Sequence, residues 1–150
     1  MRLIDFIDPN EIRLELTSES KSAAVEELVG LLALERKAQE ILLSLLRKRE
    51  ELGSTGIGSG VAIHHSRSLV VDRLRVAFGR KLSGLDFDAV DGQPVRFLFL
   101  IVAPPVEVSN QYLPVLGRIA QFCKNSENLE RLARVTTPEE FREALMAADV

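Results

Sequence analysis

The 150-residue chain has one cysteine, no tryptophan and only two histidines. A single cysteine cannot close an internal disulfide, so we expect a reducing compartment, the cytoplasm. No apolar run approaches the roughly 18 residues that a membrane-spanning helix needs. Asp5 also comes too early in the chain for the apolar region of a signal peptide. These absences predict a cytoplasmic protein without direct membrane insertion.

The chain also lacks an excess of positive charge, since its net charge is −3. Nucleic acid is therefore not a predicted partner. Two histidines and one distant cysteine make a poor set of ligands, so we predict no metal site and no cofactor. The hydrophobic content of 46% suits a folded protein. We expect residues 1–150 to form a single domain around one real core.

Hydrophobic spacing predicts strands and helices that alternate along the chain. Alternating or continuous apolar residues predict strands at 12–16, 61–63, 74–78 and 95–102. Helical spacing predicts helices after an N-cap at Thr17 or Ser18, at 38–52, 111–124, around 129–132 and from Pro138 to Ala147. Residues 82–93 are expected to form a loop. The predicted fold class is α/β: a single domain with a mixed β-sheet of about five strands, flanked by helices on both faces.

Within the predicted second helix, four apolar residues are expected to line the buried face. These are Ile41, Leu42, Leu45 and Leu46.

The segment from residue 54 to residue 67 is the most informative part of the chain. It contains three glycines and both histidines: Gly56, Gly58, Gly60, His64 and His65. Histidine has an ordinary pKa of about 6.5, so its neutral ring is available as a nucleophile near neutral pH. Glycines let backbone N–H groups approach a phosphate closely. The segment therefore predicts a histidine beside an anion-binding loop.

Several motifs together resemble one known family. They are Arg49-Glu50, Thr55-Gly56-Ile57-Gly58, the run from Gly60 to His65, the apolar segment after Asp91-Gly92, and Thr137-Pro138-Glu139-Glu140. In this order and spacing they are similar to the IIA domains of the fructose- and mannitol-type bacterial phosphotransferase system, including its nitrogen-regulatory members. The resemblance spans nearly the whole chain.

The resemblance implies a function and assigns residues to it. It implies that His65 accepts a phosphoryl group on a ring nitrogen and that Arg49 lies near that group. It also implies a histidine phosphocarrier protein as donor, and an IIB domain or a regulatory target protein as the next partner. The expected activity is that of a phosphotransferase component. Because no fused IIB or IIC domain is present, we expect a nitrogen-regulatory type.

Two positions depart from the family pattern. The family's proline before the active histidine is His64 here, so the fixed φ at that position is lost. Sugar-transporting members carry a second histidine at the position that matches Tyr112. Its absence also favours a regulatory member over a transport component, which remains an alternative.

The supporting residues have ordinary structural explanations as well. Arg49 and the Thr55 hydroxyl, with backbone N–H groups around Gly56 to Gly60, are candidates for holding phosphoryl oxygens. Arg49 is equally typical of a solvated helix, and Thr55 of a turn. Because neighbouring strand residues point to opposite faces, His64 and His65 are not expected to share one cleft. His64 is then a surface or a supporting residue.

Two other functions stay open at this point. The first is a binding module that has lost phosphoryl transfer and acts by contact alone. The second is a metal-dependent hydrolase that uses the histidine pair. It is the least favoured, since only Asp72 offers an acidic ligand close in sequence.

Overall fold

The computed structural model, which describes residues 2–89, 91–107 and 110–150, has an α/β fold. The strands in these residues are β1 (Ile12–Arg13), β2 (Gly56–Gly58), β3 (Val61–Arg67), β4 (Arg75–Leu85) and β5 (Val95–Ala103). The helices are α1 (Lys21–Gly30), α2 (Arg36–Glu51), α3 (Tyr112–Cys123), α4 (Ser126–Arg134) and α5 (Pro138–Ala147). Two short 3-10 turns, Leu3–Phe6 and Pro9–Glu11, precede β1. None of the helices in these ranges is long and apolar enough to cross a membrane.

The described strands form one mixed sheet in the order β1-β4-β5-β3-β2. Two pairs of neighbouring strands are parallel, β3 with β5 and β1 with β4. The other two pairs are antiparallel, β4 with β5 and β2 with β3. β5 lies at the centre, and its apolar residues are buried on both faces, as the continuous apolar run predicts. This arrangement confirms the predicted mixed sheet of about five strands.

Helices cover both faces of the sheet and bury a separate core on each. One core packs α1 and α2 against Ala62, Leu98 and Leu100. The other core packs α3, α4 and α5 against Val61, Ile63 and Phe99. Odd and even positions of β3 therefore belong to different cores, because side chains alternate across a strand.

Two expectations about element boundaries were wrong. The N-cap of α1 is Ser20, whose hydroxyl accepts from the Ala23 N–H. Thr17 and Ser18 do not cap the helix. Their backbone N–H groups both donate to the Glu27 carboxylate, which holds these two residues against α1. β4 continues to Leu85, inside the expected loop, because Leu85 pairs with Val95 after an irregularity in the register.

The buried face of α2 is also rotated relative to the expectation. Leu42, Leu43 and Leu46 are buried there, whereas Ile41 and Leu45 are 46% and 39% exposed. Both faces carry apolar residues, so the sequence does not distinguish which one packs on the sheet.

Candidate active site

β3 places the two histidines on opposite sides of the sheet. His64 pairs with Leu100 and His65 with Ile101 on the parallel neighbour β5. His65 points toward the start of α3, whereas His64 points toward α1 and α2, where it contacts Phe87. The two rings therefore do not share one cleft, as expected, because adjacent side chains of a strand point to opposite faces.

The His65 ring is half-buried and is held by the first residue of α3. Its Nδ1 lies 3.1 Å from Oη of Tyr112, and the two rings meet edge to face with centroids 6.2 Å apart. Arg67 lies above the Tyr112 ring at 4.3 Å and donates to the carbonyl oxygen of Pro104. The hydroxyl group that engages His65 therefore belongs to a side chain fixed from two directions.

Arg49, in the last turn of α2, contributes its charge to both histidines. Its Nη1 donates to the Gly53 carbonyl oxygen at 2.9 Å, which directs the guanidinium toward the loop after the helix. Burial, and then the positive charge of Arg49, hold the pKa of His65 below its ordinary value. His65 is consequently neutral, with a ring lone pair, at neutral pH.

His64 is not a surface residue, since its side chain is only 2% exposed. Burial lowers the pKa of His64 to about 4, despite the nearby Glu50 carboxylate. Nδ1 of His64 lies 3.1 Å from Oγ1 of Thr55, and its Nε2 has no hydrogen-bond partner among the described residues. A neutral imidazole thus stands at the position where the resemblance implies a proline.

Glu50 joins four elements on the His64 side of the sheet. Oε1 of Glu50 accepts from the Thr55 N–H at 3.0 Å and pairs with Nζ of Lys21 at 2.5 Å. Oε2 lies 3.9 Å from Nδ1 of His64. Burial opposes ionisation of this carboxyl, but the hydrogen bonds from Lys21 and Thr55 outweigh it and lower its pKa. Glu50 therefore ties α1 and the loop after α2 to β3.

The structure does not bring all of the predicted supporting residues to the His65 ring. The Thr55 hydroxyl lies on the His64 side of the sheet. Gly58 and Gly60 have φ of +95° and +78° and shape the turn between β2 and β3. Gly58 pairs with Val61, four residues before His65, and Gly56 pairs with Ala62. These glycines form a β-hairpin, and Thr55, just before the hairpin, contacts His64.

Sequence reasoning assigned no site role to Glu50, Arg67 or Lys21. Glu50 was visible as half of the Arg49-Glu50 motif, but its position among helix-end charges suggested solvent. Lys21 and Arg67 carried no local signal, because their partners lie far away in sequence. No group of three metal-binding side chains occurs in residues 2–89, 91–107 and 110–150.

Comparisons with known proteins place this geometry in a family. The family model described as "Phosphoenolpyruvate-dependent sugar phosphotransferase system, EIIA 2" matches residues 5–148. A nitrogen regulatory protein of Bradyrhizobium diazoefficiens is 32% identical over 133 residues, which cover 88% of this chain and 86% of that protein. The fructose-specific EIIABC component of Bacillus subtilis is 30% identical over 134 residues, 88% of this chain, but this match spans only 21% of that protein.

A solved structure agrees with these sequence matches. The crystal structure of nitrogen regulatory protein IIA-Ntr from Neisseria meningitidis superposes with a TM-score of 0.84 at 34% identity, covering 94% of this chain and 97% of that one. The predicted fold and the resemblance are both confirmed. The chain belongs to the EIIA 2 family of the phosphoenolpyruvate-dependent sugar phosphotransferase system.

Proposed function

We propose that His65 is a phosphoryl acceptor that receives its group from the phosphohistidine of a carrier protein. One observation carries the proposal: Nδ1 of His65 is engaged by the Tyr112 hydroxyl, while the ring stays half-exposed. When the hydroxyl oxygen accepts the Nδ1–H, the tautomer is fixed and the lone pair is on Nε2. Nε2 is then the nucleophilic atom.

The transfer needs no cofactor and no net proton exchange. The Nε2 lone pair of His65 forms the new N–P bond, and the N–P bond of the donor breaks with its electron pair left on the donor nitrogen. His65 keeps its Nδ1 proton, held on Tyr112, throughout the transfer. The energetic demand on the protein is in-line placement and stabilisation of the phosphoryl oxygens.

Arg49 is the residue we assign to those oxygens. A guanidinium offers parallel donors to two phosphoryl oxygens at once. Its hydrogen bond to Gly53 leaves further N–H groups for an incoming anion. The same charge keeps His65 neutral, so Arg49 favours the nucleophilic form before transfer and the phosphorylated form after it.

The function that follows is that of a nitrogen-regulatory IIA component. Nitrogen regulatory proteins and the fructose-specific EIIA component of Haloferax volcanii both match over most of this chain, at 32% and 30% identity, so these identities do not separate the two types. We favour the regulatory type because Tyr112 stands where the resemblance implies a second histidine in sugar-transporting members. Phosphorylation adds about two negative charges, which is enough to change how a docking surface binds a regulatory target protein or an IIB domain. A histidine phosphocarrier protein is the proposed donor, and the cytoplasm is the proposed location.

The test is phosphorylation by phosphoenolpyruvate, enzyme I and a histidine phosphocarrier protein, followed by intact mass spectrometry under alkaline quench. We expect one added phosphoryl group on the wild-type protein and on His64→Ala, and none on His65→Ala. A competent donor that phosphorylates a control protein but none of these variants would instead support the contact-only binding module. Circular dichroism of each variant separates loss of the acceptor from loss of the fold.

A further inference from the structure

A pocket lies near the other end of β3 from His65. We call it the basic pocket; it has a volume of about 470 Å³ and is lined by Arg96, Phe97, Lys124, Leu129, Glu130 and Arg134. Phe97 pairs with Val61, at the other end of β3 from His65. At about 3.3 Å per residue, four residues of strand place the two sites roughly 13 Å apart. The volume is within the range of small-molecule sites.

The basic pocket concentrates positive charge in a protein whose net charge is negative. Arg96, Lys124 and Arg134 come from three different elements or their ends, and none has a carboxylate within 4.0 Å among the residues that the structure describes. Glu130 is the only acidic residue in the lining. The lining therefore carries a formal charge of two positive units from its ionised side chains.

Arg96 has an unmet hydrogen-bonding need. Its Nε is buried and has no partner among the described residues, while its guanidinium lies 5.4 Å from the centroid of the Phe97 ring. A buried donor without an acceptor is costly, and native proteins rarely leave one unsatisfied. Arg96 also lines the pocket, so the other N–H groups of its guanidinium are the donors that an anion in the pocket would meet.

Arg80 adds a further charge behind the pocket wall. It is buried, and its guanidinium donates to the carbonyl oxygens of Leu132 and Val135 at the end of α4. These acceptors are uncharged, and the charge that acts on Arg80 with opposite sign is the Glu15 carboxylate, which does not line the basic pocket. Burial lowers the pKa of Arg80, the Glu15 carboxylate opposes this, and the charge of Arg96 lowers the pKa further, so the two guanidinium groups lie within electrostatic range of each other.

The floor of the pocket is apolar, so the pocket suits more than an inorganic ion. Phe97 and Cys123 are buried beneath it, and Leu129 and Ala133 line the side formed by α4. A ligand with a dianionic head and an apolar body would meet the cations at the rim and cover the floor. Arginine matches phosphate geometry with paired donors.

We propose that the basic pocket binds a small organic phosphate monoester with an apolar body, at a site separate from His65. The proposal does not rest on phosphoryl acceptance by His65. It gives this protein a binding site for an effector in addition to its partner proteins.

The test is titration of the ¹⁵N-labelled protein with phenyl phosphate, followed by NMR. We expect saturable shifts at residues 96–97 and 124–134, with a dissociation constant below about 1 mM. Phenol lacks the charge and inorganic phosphate lacks the apolar body, so each should bind at least about tenfold more weakly. Raising the salt concentration should weaken phenyl phosphate binding.

Matched variants locate the binding site. Arg134→Gln and Arg96→Gln should each weaken binding about tenfold, because each loses a charge-assisted contact. Arg131→Gln makes the same change at an exposed position on α4 outside the pocket and should leave binding unchanged. Arg134 is exposed, so its variant keeps the test valid if Arg96→Gln fails to fold.

Four outcomes would overturn the proposal. They are phenol binding as tightly as phenyl phosphate, equal weakening by Arg131→Gln, absence of saturation up to about 10 mM, and shifts confined to residues near His65. Binding by His65→Ala with unchanged affinity is expected, since the two sites are separate. Loss of binding in that variant would assign the ligand to the candidate active site instead.

Discussion

Oη of Tyr112 lies 3.1 Å from Nδ1 of His65, although 47 positions separate the two residues. A phenol group contacts the candidate acceptor ring at the position where the resemblance implies a second histidine in sugar-transporting members. A phenol oxygen accepts a hydrogen bond at neutral pH and stays uncharged, because burial raises the Tyr112 pKa above its ordinary value of 10.0. The contact thus orients His65 without adding a second group that titrates near pH 7.

The first prediction concerns this hydrogen bond. Tyr112→Phe should lower the rate of His65 phosphorylation about tenfold, the kinetic equivalent of one lost hydrogen bond. The aromatic ring remains, so the free energy of unfolding should change by less than about 1 kcal/mol. The measurement is a single-turnover time course by intact mass, with urea unfolding as the fold control. An unchanged rate would remove Tyr112 from the mechanism.

The second prediction concerns the charge of Arg49. Arg49→Gln removes one of the two causes that lower the pKa of His65, so that pKa should rise toward its ordinary value of 6.5 while burial still holds it below. Less of the neutral ring is then present in mildly acid solution, and phosphorylation should decline at a higher pH than in the wild type. NMR titration of the His65 ring protons measures the shift.

Lys48 provides the matched control for Arg49. It is exposed and adjacent in sequence, but it does not contribute to the His65 pKa. Lys48→Gln should therefore leave the pKa of His65 unchanged. Equal shifts in the two variants would show a general effect of net charge and not the local charge of Arg49.

The third prediction concerns stability and His64. The folded protein holds the pKa of His64 near 4, against 6.5 for an ordinary histidine. Between these values the unfolded chain binds a proton that the native state does not, so the free energy of unfolding falls as the pH falls. Over the range from pH 6.5 to about 4, His64 should lower the free energy of unfolding by about 3 kcal/mol.

His64→Leu tests this pH dependence, because leucine does not titrate. Urea unfolding at several pH values should show a flatter curve for this variant between pH 6.5 and about 4. His65→Gln is the control; its ring is less buried, so the curve should change less. If the wild type and His64→Leu lose stability in parallel, the buried ring is not responsible for the acid dependence.

Most of the fold was predictable because its signals are local. The apolar run of β5 and the Thr137-Pro138 start of α5 are contained in a few adjacent residues, and both appear as expected. The position of His65 opposite to His64 also followed from strand alternation alone. Helix starts and strand ends were less predictable, as for α1, where Glu27 acts on Thr17 and Ser18 from about ten residues away.

The candidate site was predictable only in part, for the same reason. The motif containing His65 marks the segment, but the burial of His64 depends on Phe87, Thr55 and Glu50, which come from other elements. Gly58 and Gly60 have the positive φ values that the turn between the paired strands β2 and β3 requires, so they shape a hairpin. Partners separated by tens of residues leave no periodic pattern in the sequence.

The fourth prediction concerns Glu27, which connects α1 to the segment before it. Its carboxylate accepts hydrogen bonds from Arg13, from the Thr17 N–H and from both the N–H and the hydroxyl of Ser18. Burial opposes ionisation, but these donors outweigh it and lower the Glu27 pKa to about 2. The native state therefore favours the ionised form, and the resulting stability is present above pH 4.5 and lost as the pH falls toward 2.

Glu27→Gln should lower the free energy of unfolding at neutral pH by about 2 kcal/mol, because the amide cannot accept the full set of charge-assisted hydrogen bonds. The difference from the wild type should shrink as the pH falls from 4.5 toward 2, where the wild-type carboxylate also takes up a proton. The adjacent Glu26 is the matched control. Its ion pair with Arg47 is about half exposed on both sides, so Glu26→Gln should cost less than about 0.5 kcal/mol. Urea unfolding of both variants provides the comparison. Equal losses would mean that net charge, and not the set of hydrogen-bond donors around Glu27, holds the segment before α1 in place.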